Sequence, residues 1–205
     1  MLFRSKRAQG RVMMAHLGNG ASLCAAIGGK SIATTMGFSA LDGLMMGTRA
    51  GSLDAGVLLY LLDKGYTPEQ LEKLLYKKSG LLGVSGISAD MRKLRASKEP
   101  LAIMAIDLFT HRVVREAGSM VACLEGLDVI GFSGGIGEHD SLLRQSVCEK
   151  LSWLGIKLDE ALNQAATNNA ISKISTEDSA IEVWVVPTDE GLVAARDAQA
   201  LLAQR

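Results

Sequence analysis

Three short segments carry groups suited to holding an anion. His16-Leu17-Gly18-Asn19-Gly20-Ala21-Ser22 offers an imidazole, two glycines, an amide and a hydroxyl in one turn. Ser133-Gly134-Gly135-Ile136-Gly137-Glu138 and Pro187-Thr188-Asp189-Glu190 are the other two. Each follows an apolar, strand-like run, at residues 12–15, 127–132 and 181–186. Glycines at strand ends let backbone amides approach an anion, because no Cβ intervenes. Ligands of α/β sheets bind at such carboxyl ends of strands.

Each segment also has a plainer explanation. Asn19-Gly20 is a strong hairpin-turn signal, and a turn can hold phosphate at the same time. Residues 134–138 read as a strand-to-helix turn, or as backbone lying flat against a ribose or adenine near a helix N-terminus. Arg49, in Met45-Met46-Gly47-Thr48-Arg49-Ala50-Gly51, is a fixed cation among small residues. It is either solvated or able to reach the equatorial oxygens of a transferring phosphoryl group. Glu190 sits in the first turn of a helix, where the dipole favours any acid; its functional alternative is a ligand of Mg²⁺ on a nucleotide. Asp90-Met91-Arg92 is explained by a local salt bridge. Two familiar nucleotide signatures fail by counting. Gly28-Gly29-Lys30-Ser31 lacks the earlier P-loop glycine, because Cys24 stands there, and Asp140 stands where a dinucleotide fingerprint needs its third glycine.

These groups need a scaffold. The chain has 205 residues, enough for one α/β domain with a real core. The spacing predicts strands at residues 11–16, 22–27 and 31–35, with Gly28-Gly29 turning between the last two. Ser52 is expected to cap a helix through residues 57–62 that Gly65 ends. Thr67-Pro68-Glu69-Gln70 is a capping box, opening a helix to about residue 78. Residues 80–86 read as a glycine-punctuated loop. A long helix follows from near Pro100 toward Glu125. Then come a buried-type strand at 127–132, a helix at 139–154, a strand at 181–186 and a helix at 189–203. The expected fold is one α/β domain: a mixed sheet, antiparallel at its start and parallel later, with flanking helices.

Composition removes several functional classes. Lys plus Arg and Asp plus Glu number 22 each, and 4% of residues are aromatic. No basic stripe or stacking surface for nucleic acid emerges. No apolar run reaches the ~20 residues of a membrane helix. Three scattered cysteines, Cys24, Cys123 and Cys148, fit a reducing compartment, so a cytoplasmic location is expected.

Taken together, the segments resemble the acetate kinases and their short-chain acyl kinase relatives. The matching stretches, in family order, are HLGNGAS (16–22), MGF-x-x-L-x-GLMMGTR (36–49), SGLLGVSGIS-x-DMR (79–92), SGGIGE (133–138), GIKLD (155–159), ISTEDS (174–179) and VVPTDE (185–190). The resemblance implies a ribonuclease-H-like domain of the actin-like and sugar-kinase superfamily. It implies ATP with Mg²⁺ as cofactors and a small carboxylate, acetate or propionate, as substrate. His16, Leu17, Gly18, Asn19 and Gly20 match the family's phosphate loop. Asp90, Met91 and Arg92 match a nucleotide-contacting triplet, and Gly135, Ile136, Gly137, Glu138 and His139 the adenosine-side loop. Arg49 matches the arginine that stabilises the transition state, and Glu190 the magnesium-linked glutamate. The family usually has an acid where Ser52 stands, Asn where His139 stands, and a second Glu where Gly191 stands.

The resemblance further implies that residues 11–205 correspond to the family's C-terminal domain only, after an atypical lead at 1–10. The N-terminal half, which carries further catalytic groups, is not in this chain. A fragment, a split subunit or a truncated gene product would each look this way. The expectation is a phosphotransferase chain with little or no activity alone, forming a homodimer or pairing with the missing half. The alternative is a non-catalytic nucleotide-binding or dimerisation module.

Overall fold

The computed structural model describes residues 6–167, 170–188 and 190–202. After a 3-10 turn at Lys6–Gln9 the chain enters β1 (Arg11–Leu17), β2 (Ala21–Ile27) and β3 (Lys30–Thr34). Four helices follow: α1 (Ala55–Asp63), α2 (Pro68–Lys77), α3 (Gly80–Ser85) and α4 (Met91–Ala96). The long α5 (Pro100–Cys123) returns the chain to the sheet as β4 (Val129–Ser133). Then come α6 (Gly134–His139), α7 (Ser141–Lys150), α8 (Glu160–Ala165), β5 (Ser172–Lys173), β6 (Glu182–Val185) and α9 (Glu190–Leu202).

The strands form one sheet in the order β3-β2-β1-β4-β6-β5. The first three are antiparallel neighbours, and β1, β4 and β6 run parallel in the centre. β5 closes the edge antiparallel to β6. This is the mixed, ribonuclease-H-like sheet expected from the sequence. Every residue of β4 is buried, as a central parallel strand covered on both faces requires.

One face of the sheet is covered by α5. Its buried residues Ala102, Ala105, Ile106, Phe109, Val113, Ala117 and Met120 recur at three- and four-residue intervals, one stripe of a 3.6-residue period. They join Leu23, Ile130 and Phe132 in one cluster. Burial of a side chain such as Phe109 contributes about 1.5–3 kcal/mol. On the opposite face Val12, Val129 and Val186 pack with Ala8, Met14 and Trp184.

Three local expectations change. Residues 80–85 form α3, not a loop: Leu81 and Leu82 amides bond the Met46 and Gly47 carbonyls, and Leu81 is fully buried. Tertiary contacts there override the low helix propensity of glycine. Asp54, not Ser52, caps α1 by accepting from the Gly56 amide. The Ser52 hydroxyl instead donates to Asp42 at 2.6 Å. The helix expected at 139–154 starts later, at Ser141, because Asp140 caps α7 by accepting from the Leu143 amide, and its end is a separate 3-10 turn at Ser152–Leu154.

Candidate active site

β1 and β4 lie side by side, and their carboxyl ends finish level, with His16 opposite Ser133. Both chains turn there, so two polar turns are forced into one place. The first is a hairpin: Leu17 pairs with Ala21, and the Gly18 amide bonds the Gly20 carbonyl at 2.9 Å. The second leaves β4 directly into α6. Gly134 makes that bend with φ of 77°, and a Cβ there would crowd the Leu17 backbone. His16 Nδ1 lies 3.3 Å from Ser133 Oγ, tying the turns together.

Two contiguous clefts open around them, both lined by Gly18, Asn19 and Gly135. The first, about 520 Å³, is also lined by His16, Gly20, Asp42, Arg49 and Gly134. The second, about 840 Å³, runs between α4 and the α6–α7 junction, along Asp90, Met91, Arg92, Arg95, Ile136, His139, Asp140 and Ser141. One elongated trough results, with small backbone-rich residues at its waist.

Arg49 is carried by the loop between residues 43 and 51. The Met46 amide bonds the Arg49 carbonyl, and the Gly47 amide bonds the Asn19 carbonyl at 3.0 Å. The hydrogen bond from Gly47 docks this loop on the first turn. The Arg49 guanidinium donates to the Ala40 carbonyl at 3.1 Å, and among the described residues no carboxylate forms an ion pair with it. Its charge is therefore held at the cleft without being neutralised. Asp42 lines the same cleft, and its hydrogen bonds from Ser52 Oγ and the Gly43 amide push its carboxyl below the usual range. An ionised carboxylate beside a bound phosphate would call for a cation between them. Among the described residues no group of three or more His, Cys, Asp or Glu gathers. Mg²⁺ on a nucleotide needs only one or two carboxylates besides phosphate oxygens, so the donors present fit that ion.

At the other end Asp90 caps α4 and grips Arg92 at 2.7 and 3.0 Å. The bond from Arg92 holds the Asp90 carboxyl down at about 2. Arg95 crosses from α4 to Asp140 at 3.1 Å, bracing the two walls of the second cleft.

Most residues singled out from the sequence meet here. His16, Gly18, Asn19, Gly20, Arg49, Asp90, Met91, Arg92, Gly135, Ile136 and His139 all line the trough. Three take other positions. Leu17 is fully buried in the core. Gly137 lies on the inner side of α6 against the β1 backbone, where an added Cβ would meet Phe132 and Ala15. Glu138 is buried and accepts hydrogen bonds from the Gly134 and Thr188 amides at 2.8 and 3.0 Å. It thus fastens the Pro187–Thr188 segment, which leads into Glu190, to the second turn. Glu190 begins α9, but its side chain lies outside the described residues. The sequence did not single out Asp42, Arg95, Asp140 or Ser141. Asp140 carried a readable helix-cap signal, whereas nothing local marks Arg95.

Known proteins are similar to this chain in sequence and in fold. A sequence model described as the acetokinase family matches residues 2–196. The acetate kinase of Rhodopseudomonas palustris is 57% identical over 190 residues, covering 92% of this chain and 47% of that protein. That of Rickettsia felis is 50% identical over 94% of this chain and 49% of its own. Among solved structures, Porphyromonas gingivalis acetate kinase superposes with a TM-score of 0.88 at 36% identity, over 95% of this chain and 49% of that one. A propionate kinase from Francisella tularensis superposes with a TM-score of 0.81 at 38% identity, over 90% and 47%. The chain thus spans about half the length of the relatives it matches. By sequence and by fold alike, the chain belongs to the acetokinase family.

Proposed function

We propose that this chain is the nucleotide-binding half of an acetate-kinase-type phosphotransferase. It works on ATP, with acetate or propionate as acceptor, and residues 11–205 act as one domain. The observation that carries this reading is the continuous trough shared by Gly18, Asn19 and Gly135. Its short end, with Arg49, suits the phosphates; its larger end, between α4 and the α6–α7 junction, suits the nucleoside. The relatives bear the names acetate kinase and propionate kinase, which supports a carboxylate acceptor.

In the reaction an acceptor carboxylate oxygen bonds the γ-phosphorus as the bond to the β,γ-bridging oxygen breaks. The products are an acyl phosphate and ADP. Charge spreads over the equatorial oxygens of a loose transition state, so the protein's task is placement and charge compensation. Arg49, already fixed by Ala40, needs no reorganisation to meet that charge. His16, Gly18, Asn19 and Gly20 with the Gly135 turn seat the phosphates, and Asp90 to Arg92 with Ile136 and His139 face the nucleoside. Mg²⁺ would neutralise phosphate oxygens, with Glu190 and Asp42 as the carboxylates that hold it, directly or through water. No helix among the described residues is long and apolar enough to cross a membrane. Balanced charge and three scattered cysteines support a cytoplasmic enzyme without a nucleic-acid partner.

A hydroxamate assay for acyl phosphate tests the reading. The chain alone should give little or no product, and the chain mixed with a family N-terminal half should give turnover. In that reconstituted enzyme Arg49→Ala should lower turnover by about 10²–10³-fold. Unchanged turnover would remove Arg49 from the mechanism, and full turnover by the chain alone would overturn its role as a half.

A further inference from the structure

We propose that Arg144 is a positioning residue for the nucleoside end of the trough, an inference that rests on the nucleotide reading above. Arg144, on α7, is fully buried. Its Nη1 donates to the Gly137 and Glu138 carbonyls at 2.9 and 2.7 Å. Its Nε donates to Asn163 Oδ1 at 2.8 Å, and its Nη2 to the Asn163 and Ala166 carbonyls at 2.6 and 3.5 Å. Among the described residues no carboxylate forms an ion pair with it. Burying a charge this way is costly, and packing alone is served as well by an apolar side chain.

What the guanidinium supplies is a common anchor for two helix ends. Gly137 and Glu138 lie in the last turn of α6, and Asn163 and Ala166 at the end of α8. Carbonyls at helix ends lack partners within the helix and carry the negative end of its dipole, so a cation satisfies both demands. Helices of six residues do not hold themselves together in water. The opposite side of α6 is the trough wall: Gly135, Ile136 and His139 line the cleft. Asn163, itself buried, donates to the Ser141 carbonyl at 2.9 Å, and Ser141 lines the same cleft. Arg144 and Asn163 therefore stand directly behind the nucleoside wall, touch no ligand, and fix its shape before a ligand arrives. Such preorganisation shows as affinity. The phosphate end is built mainly from the β1–β2 turn and the Arg49 loop; it shares only Gly134 and Gly135 of the first turn of α6, whereas Arg144 bonds the last turn.

Titration calorimetry of the chain with ATP and, separately, with inorganic tripolyphosphate tests this. Arg144→Lys cannot reach all the carbonyls. Asn163→Ala keeps the guanidinium but removes its side-chain acceptor and the tie to Ser141, so it serves if Arg144→Lys does not fold. Each variant should weaken ATP by about tenfold or more, the scale of one lost charge-assisted hydrogen bond, with tripolyphosphate changed by less than about twofold. Equal weakening of both ligands would reduce Arg144 to a general fold residue and overturn the proposal, as would unchanged ATP affinity. If the unsubstituted chain bound no ATP, the nucleotide reading itself would fall, and this inference with it.

Discussion

Asp128 shows how a single carboxylate can register two strands. It precedes β4 and receives the Arg11 amide at 2.8 Å, with Arg11 Nε at 3.1 Å and Nη2 at 2.7 Å. Those bonds fix the start of β1 against the start of β4, and so set His16 beside Ser133 at the far end. Arg11 holds the Asp128 carboxyl below its ordinary value. A depressed carboxylate stabilises the fold above the unfolded value of about 4 and loses that contribution as pH falls through the lower folded value. Asp128→Asn should therefore lower stability by about 1 kcal/mol at pH 7, discounted for the pair's partial exposure. In denaturant titrations the gap from the parent chain should close below pH 4. A gap unchanged down to pH 2 would contradict the assignment. Single residues were also where sequence reasoning was most uneven. Gly135 and Glu138 stand in one short motif, yet one faces the trough and the other points inward to the Thr188 amide. A motif carries no direction, and only the register of α6 on the sheet separates the two.

At the scale of elements, legibility followed the strength of local signals. β1 and β2 were evident from apolar runs around turn glycines, and α2 from its complete capping box. α3, α6 and α8 are six residues each, and the first two are rich in glycine. Distant contacts hold them, the Met46 and Gly47 carbonyls at α3 and the Arg144 guanidinium at α6 and α8, which no local window reveals. α3 is the clearest case. Gly80 opens it with φ of 64°, and a Cβ there would collide with the Met46 carbonyl. The loop beneath holds Arg49. Gly80→Ala should therefore cost more than a glycine substitution in an ordinary turn, about 1–3 kcal/mol, seen as a lowered melting midpoint. It should also weaken ATP binding through displacement of the Arg49 loop. Melting and binding both at parental values would show that the loop does not need α3.

For the whole molecule, the exposed apolar surface has one large unexplained element. α1 buries no residue, although Val57, Leu59, Tyr60 and Leu62 are all carried on it, with Leu59 69% exposed. Arg112 on α5 donates to the Ser52 carbonyl, which brings the approach to α1 against α5. Leu101, Ile103, Met104 and Leu108 of α5 are exposed as well. Monomers rarely leave large contiguous apolar patches in water. The homodimer that the family resemblance implies would cover this surface. Light scattering after size exclusion should give twice the chain mass, and Leu59→Glu with Tyr60→Glu should give a monomer whose ATP affinity is unchanged. A monomeric parent chain would refute the pairing.

Whether the trough at Gly18, Asn19 and Gly135 holds a nucleotide is tested most directly at Gly135. A Cβ added at Gly135 meets no atom within 4 Å, because it points into the open cleft. Gly135→Leu should leave the melting midpoint at or above that of the parent, since glycine disfavours helix, while calorimetric titration with ATP and Mg²⁺ loses its binding signal. Undiminished ATP binding by a well-folded Gly135→Leu chain would place the nucleotide elsewhere and contradict the account.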